Sequence, residues 1–374
     1  MKKYYWRYWH YFFIFVILLF ALLIRLNHLG SISGLWYDEI TIYSIAVKKT
    51  LLLTLQEDSH RFLLFPLYYL VYKFWIATFG NSDYVIRLMS VFFDMAAVVC
   101  AYFAGVNFAS LLNKHDVKYK IGLYTMLLYA INSSFIYYAQ EAKFYSMTFF
   151  LINVLMIFWS KYLMAPTKKN AILFLISNAL LLYTYTSQIL LLLAVQIVTF
   201  IYFFVKRKSE VKTYISQFLG FIIVLIPIFV MVLHNHQYFT GNFDAVVYDN
   251  SFILLVFQNY FSPVLAGLQN NILSYQNTIL INIFNPKWWV FIFFPIIFNF
   301  VLIAKSCKKE LFSKLFLSVA VLYVGFHIIS TQFMSYAPMV RYLLPALPVL
   351  IVVGANGLEI LCRKKIAMSY FLCF

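Results

Sequence analysis

An acidic pair, Asp38-Glu39, stands within Trp36-Tyr37-Asp38-Glu39 in a chain that has only 13 Asp and Glu among its 374 residues. Two chemistries suit it. Acids at a helix start cap the chain and complement the helix dipole. A carboxylate held between aromatic residues beside a membrane can instead serve as general base toward an acceptor hydroxyl, its pKa raised by the apolar setting. A second group, Gln140-Glu141-Ala142-Lys143-Phe144-Tyr145, gathers a carboxylate, an ammonium and a phenol. Taken alone, that group reads as ordinary interfacial charge, with Tyr145 in an aromatic belt.

Arg87 and Arg341-Tyr342 open two apolar stretches. Each arginine can snorkel to lipid headgroups. With Lys143 they would make a fixed cationic site for phosphate, which arginine binds in bidentate geometry; such a phosphate would arrive from the bilayer, pointing to a lipid-phosphate substrate. His60, His234 and His236 are spread over two segments without metal-ligand spacing, so no metal is assigned. Tyr183-Thr184-Tyr185-Thr186 offers hydroxyls for a sugar, or an interfacial belt. Asp94, within an apolar run, must face the protein interior, because a carboxylate at lipid depth costs roughly 2.5 to 3.5 kcal/mol. Asn132-Ser133-Ser134 matches a glycosylation sequon inside an apolar stretch and is discounted.

The elements that must position these residues are membrane helices. Hydrophobic residues make up 64% of the chain and charged residues 11%, against roughly 25% charged in soluble domains. A soluble α/β enzyme, a disordered chain, a coiled coil and a disulfide scaffold are excluded as readings of the whole. Cys100, Cys307, Cys362 and Cys373 form no CxxC pair. The net charge of +16 does not indicate nucleic acid, because the 29 Lys and Arg cluster in short loops. The basic N-terminal segment ends in Arg25-Leu26-Asn27-His28 without a small-residue cleavage motif, so it reads as an uncleaved first span.

Apolar runs of this length are helices, since lipid leaves the backbone no external partner. The expected architecture is all-α and polytopic, with ten spans at about 11 to 29, 84 to 111, 120 to 138, 144 to 162, 170 to 186, 188 to 205, 213 to 234, 287 to 304, 315 to 332 and 342 to 361. Twenty of the 29 basic residues then fall on one side, the cytoplasmic one, together with the N-terminus. That bookkeeping makes 62 to 79 a helix lying on the outer surface rather than crossing. A further surface helix follows Asp38, with Ile42, Ile45, Ala46, Leu52 and Leu53 on one face. No repeat or linker divides residues 1–374, which read as a single domain with outer segments 30–83 and 235–286.

In order along the chain, five motifs resemble those of the bacterial polytopic glycosyltransferases of the GT-C class. The branch is the one related to dolichyl-phosphate-mannose protein mannosyltransferases and the lipid A aminoarabinose transferase. The motifs are Trp36-Tyr37-Asp38-Glu39; Pro66-Leu67-Tyr68-Tyr69 followed by Phe79-Gly80; Arg87 to Ser90; Gln140 to Tyr145; and Arg341-Tyr342-Leu343-Leu344-Pro345. The resemblance implies transfer of a sugar, with inversion, from a polyprenyl-phosphate carrier to an acceptor hydroxyl on the outer side of a bacterial inner membrane. It implies Asp38 as base with Glu39 as its catalytic partner. Substrate contacts would come from Arg87, Glu141, Lys143, Tyr145, Arg341, Tyr342, Tyr68 and Tyr69. It requires no cofactor and leaves a divalent metal open. The acceptor would be an envelope glycolipid, a polysaccharide or a protein. Relatives often carry His-Pro-Pro before the paired tyrosines, Arg where Lys143 stands and His where Tyr185 stands. A transporter or lipid flippase, and a noncatalytic subunit of an envelope-assembly complex, are the alternatives from other classes. A polymerase or ligase using a lipid-diphosphate donor would be expected to carry a larger, arginine-rich outer loop.

Overall fold

The computed structural model describes residues 2–27, 29, 34–48, 50–60, 66–234, 286–308, 310–334 and 343–363. Every regular element among them is helical: α1 (Lys2–Leu26), α2 (Tyr37–Ala46), α3 (Leu51–His60), α4 (Pro66–Phe79), α5 (Asp83–Leu111), α6 (Lys118–Ala130), α7 (Ser133–Ala139), α8 (Tyr145–Met164), α9 (Lys168–Thr184), α10 (Ile189–Lys206), α11 (Val211–His234), α12 (Pro286–Cys307), α13 (Leu311–Met334) and α14 (Leu347–Arg363). Seven helical stretches among the described residues are long and apolar enough to cross a membrane. The chain is a polytopic helical membrane protein.

Most expected spans meet a helix, and two readings are corrected. The apolar stretch 120–138 is not one helix, because Asn132 interrupts it. Its Oδ1 accepts the backbone N–H groups of Ser134 at 3.0 Å and Phe135 at 3.4 Å, capping α7. The surface helix after Asp38 is likewise two. Ile42, Ile45 and Ala46 are buried on α2 as expected, but α2 stops at Ala46, and Leu52 and Leu53 are exposed on α3. Lys73 ends α2 by donating its ammonium to the carbonyls of Ala46, at 3.0 Å, and Lys48, a cation on the orphan acceptors of a helix C-terminus. At 14 residues, α4 rises about 21 Å, short of the ~30 Å of a bilayer core.

Contacts group the chain into two compact units. One comprises Met1–Leu18, Ala101–Tyr137 and Ala245–Phe374. Within it α14 packs on α6, α12 and α13. A partly buried polar clasp ties these helices to the segments before α6 and α13: Lys114 reaches Asn356 Oδ1 at 2.8 Å and Glu310 at 3.1 Å, and Asn356 donates to Ser306 at 2.8 Å. Gly357 lies so close to α12 that a Cβ there would meet the Leu302 carbonyl oxygen at 1.9 Å.

The other unit comprises Leu19–Cys100 and Tyr138–Asp244 and holds every sequence-predicted site residue but Arg341 and Tyr342. In it α9 packs against α4, α8 and α11, while α2 and α3 pack on α4. The polar face of α5 sets the interior. Arg87, Ser90 and Asp94 recur at i, i+3 and i+7, so they share one side of the helix, and all three are buried. Asp94 faces inward, where it pairs with Arg25 of α1; both side chains are fully buried.

Candidate functional site

The site is built around the start of α2. Trp36 is extended, with ψ of 170°, and precedes the first helical residue. Its backbone N–H donates to Glu39 Oε2 at 3.2 Å, so the acid of the first turn reaches back to cap its own helix. Glu39 does more than cap. Arg87 Nη2 donates to Oε2 at 2.7 Å and Arg87 Nε to Oε1 at 3.2 Å, and the Ala142 N–H donates to Oε1 at 2.7 Å. Four donors occupy a carboxylate with about four lone-pair directions. Glu39 and Arg87 have 0% and 1% side-chain exposure, so the pair is a desolvated tie between α2, α5 and the turn before α8. Arg87 Nη2 also donates at 2.7 Å to the carbonyl of Gly34, whose φ of +76° suits glycine.

Asp38, one residue earlier, has the opposite environment. Its carboxylate is 32% exposed and lies 3.0 Å from Lys143 Nζ. The ammonium itself is only 3% exposed, lies 3.3 Å from Glu141 Oε2, and sits 3.6 Å above the Trp36 ring centroid. The Tyr145 ring is 6.0 Å from it. A cation held by two carboxylates and an aromatic face is fixed in place. The Lys143 N–H donates to the Glu141 carbonyl at 2.8 Å, and Ser90 Oγ to the Lys143 carbonyl at 3.5 Å. Gln140 binds the carbonyl of Asn27 at 2.8 Å and those of Ile24 and Arg25 at 3.3 Å, tying this turn to the end of α1.

Asp38, Glu39, Arg87, Glu141, Lys143 and Tyr145 therefore come together, although they stem from three separated motifs. The formal charge of the cluster is minus one, from three carboxylates and two cations. This bears on the expected phosphate clamp: the guanidinium of Arg87 and the ammonium of Lys143 already face carboxylates. Arg341 and Tyr342 lie outside the described residues, as does His236, and nothing is described of the His60 and His234 side chains. Among the described residues no group of three or more His, Cys, Asp or Glu is placed to hold a metal ion.

Tyr68 and Tyr69 are fully buried on α4 and are joined by Tyr72, one turn on. The Tyr68 ring lies 5.6 Å from that of Tyr72 and 6.2 Å from that of Phe144. Burial, followed by the charges of Tyr72, Tyr69 and Glu39, pushes the Tyr68 hydroxyl well above its ordinary value. Burial and then Glu39 do the same to Tyr72. Both stay protonated donors. Phe144 also packs at 4.4 Å on Tyr185, whose carbonyl accepts the backbone N–H of Gln188 at 2.9 Å. Neither Tyr72 nor Gln188 stands out in the sequence. The available signals were the i, i+4 spacing of Tyr72 from Tyr68 and a lone amide opening an apolar run.

Neither a protein-family model nor a curated protein matches the chain.

Proposed function

We propose that the chain is a GT-C-like membrane glycosyltransferase of the bacterial inner membrane, with its N-terminus in the cytoplasm and its site on the outer side. It transfers a sugar from a polyprenyl-phosphate donor to an acceptor hydroxyl with inversion. The observation that carries this reading is the contrast between neighbouring acids: Glu39 is buried and saturated, while Asp38 is partly exposed and aimed at a buried ammonium. A base must reach the proton it removes and must be held still while it does so. Asp38 meets both conditions. Convergence of residues 36–39, 87–90 and 140–145, which carry the family resemblance, is the second support.

In the proposed step Asp38 takes the proton of the acceptor hydroxyl as its oxygen attacks the anomeric carbon. The bond from that carbon to the phosphate oxygen breaks on the opposite face, and polyprenyl phosphate leaves with the electron pair. Lys143 orients Asp38 and contacts the leaving phosphate. Glu39 and Arg87 act through the backbone, as positioning residues.

The test compares intact protein with Asp38→Asn, at equal folded amounts in membranes, for release of free polyprenyl phosphate from a panel of polyprenyl-phosphate sugars with crude envelope as acceptor source. Release by the intact protein alone is expected. Equal release by both removes Asp38 from the chemistry, and no release from any donor overturns the donor class.

A further inference from the structure

Buried polar groups are almost always hydrogen-bonded, so those that are not need an explanation. Around the proposed site they include groups on three side chains. The hydroxyls of Tyr68 and Tyr72, and both amide atoms of Gln188, are shut off from solvent without a hydrogen-bond partner among the described residues. They are not scattered. Tyr68 and Tyr72 lie one turn apart on α4 with ring centroids 5.6 Å apart, and α4 packs on α2, the helix that carries Glu39. Glu39 cannot serve them, because Arg87, Trp36 and Ala142 fill its lone pairs. Tyr68 packs on Phe144 and Phe144 on Tyr185, whose carbonyl accepts the backbone N–H of Gln188. All belong to the unit that carries Asp38.

The chemistry of the set is selective. Phenol hydroxyls and a carboxamide both donate and accept, matching a polyol rather than a pure acceptor such as phosphate. The neighbouring cluster is formally minus one, which disfavours a further negative charge on the sugar beyond the phosphate that Lys143 would contact. Phe144 and Tyr185 add apolar ring faces suited to the C–H side of a sugar. We infer that Tyr68, Tyr72 and Gln188 form the subsite that hydrogen-bonds the hydroxyls of an uncharged donor sugar beside Asp38. This rests on the glycosyltransferase reading and narrows it to neutral sugars. Because the groups are fully covered, the sugar gains them only as covering side chains move, and the partly exposed Trp36 and Asp38 mark where the cluster meets solvent.

The experiment measures binding to the full-length protein in detergent, separately from turnover. The probes are farnesyl phosphate, farnesyl phosphate carrying a neutral hexose or pentose, and farnesyl phosphate carrying a hexuronate. The proteins are the intact chain, Tyr68→Phe, Tyr72→Phe and Gln188→Met. At least one neutral conjugate is expected to bind the intact protein about 10-fold or more tightly than bare farnesyl phosphate, and the hexuronate no better than the bare lipid. Each variant should lose about 2- to 12-fold of that preference, the range of one net hydrogen bond, with bare-lipid binding unchanged. Its melting temperature should hold or rise, since an unpaired buried group has been removed. Equal binding of sugar-bearing and bare lipid by the intact protein overturns the subsite. So does a variant that keeps the sugar preference but melts earlier, the signature of hydroxyls satisfied by buried water. Sugar-selective binding without release of farnesyl phosphate once crude envelope is added as acceptor source would sink the transferase reading and leave the subsite standing.

Discussion

Arg87 and Glu39, 48 residues apart in sequence, meet through two hydrogen bonds of 2.7 and 3.2 Å between almost fully buried side chains. Such a pair gains little over an apolar replacement, yet losing one partner strands a buried charge at a cost of about 3–5 kcal/mol. Glu39→Gln keeps the shape and strands Arg87. A lowered melting temperature in detergent is expected, with partial recovery when Arg87→Met is added. An unchanged melting temperature for the single variant would remove the tie from the account of how α2 is held.

Asp38→Asn should behave differently. Its carboxylate is 32% exposed and paired with Lys143, and partly exposed ion pairs contribute about 0–1 kcal/mol. Melting should therefore shift little while transfer is lost. Comparing Asp38→Asn with Glu39→Gln in one melting and activity series separates the two acids. If Asp38→Asn melts as early as Glu39→Gln, the exposed acid is structural and its assignment as base fails.

Arg25 and Asp94 form a second buried pair, at depth in α1 and α5. Asp94→Leu strands the guanidinium and is expected to cut the yield of folded, monodisperse protein sharply. Arg25→Met together with Asp94→Leu replaces both charges by apolar groups and should restore most of that yield. Size-exclusion profiles of the membrane-extracted protein decide it. A double variant no better folded than Asp94→Leu would mean that the pair is needed for more than mutual neutralisation.

What the sequence disclosed about this site follows from the range of the interactions. Asp94 was legible as interior-facing, because a lone acid in an apolar run has nowhere else to go. The helical start after Trp36 was legible from its two acids, a local signal. That Glu39 would be the saturated acid and Asp38 the accessible one was not, because Glu39 is settled by Arg87 and Ala142, 48 and 103 residues away. Helix breaks were hidden for a similar reason. Asn132 within 120–138 and the Lys73 cap on α2 each act through a pair of side-chain hydrogen bonds that a hydrophobicity pattern does not register. Arg25 could be placed at the end of the first span, but not against Asp94, 69 residues on.

Two glycines of α14 give a paired test of helix packing in the other unit. Gly357 is pressed against α12: a Cβ there would lie 1.9 Å from the Leu302 carbonyl oxygen and 2.6 Å from its carbon, both backbone atoms that cannot rotate away. Gly354, three residues earlier on the same helix, has nothing within 4 Å of its Cβ position. Alanine in a helix interior is favoured over glycine by about 1 kcal/mol, while overpacking costs about 1–3 kcal/mol. Gly354→Ala should therefore raise the melting temperature or leave it unchanged. Gly357→Ala should lower it, because the clash outweighs the propensity gain and pushes α12 from α14. Thermal unfolding of the two variants side by side reads the difference with helix propensity held constant. Equal shifts for both would mean that α12 yields freely at Leu302, and that the contact does not hold this unit together.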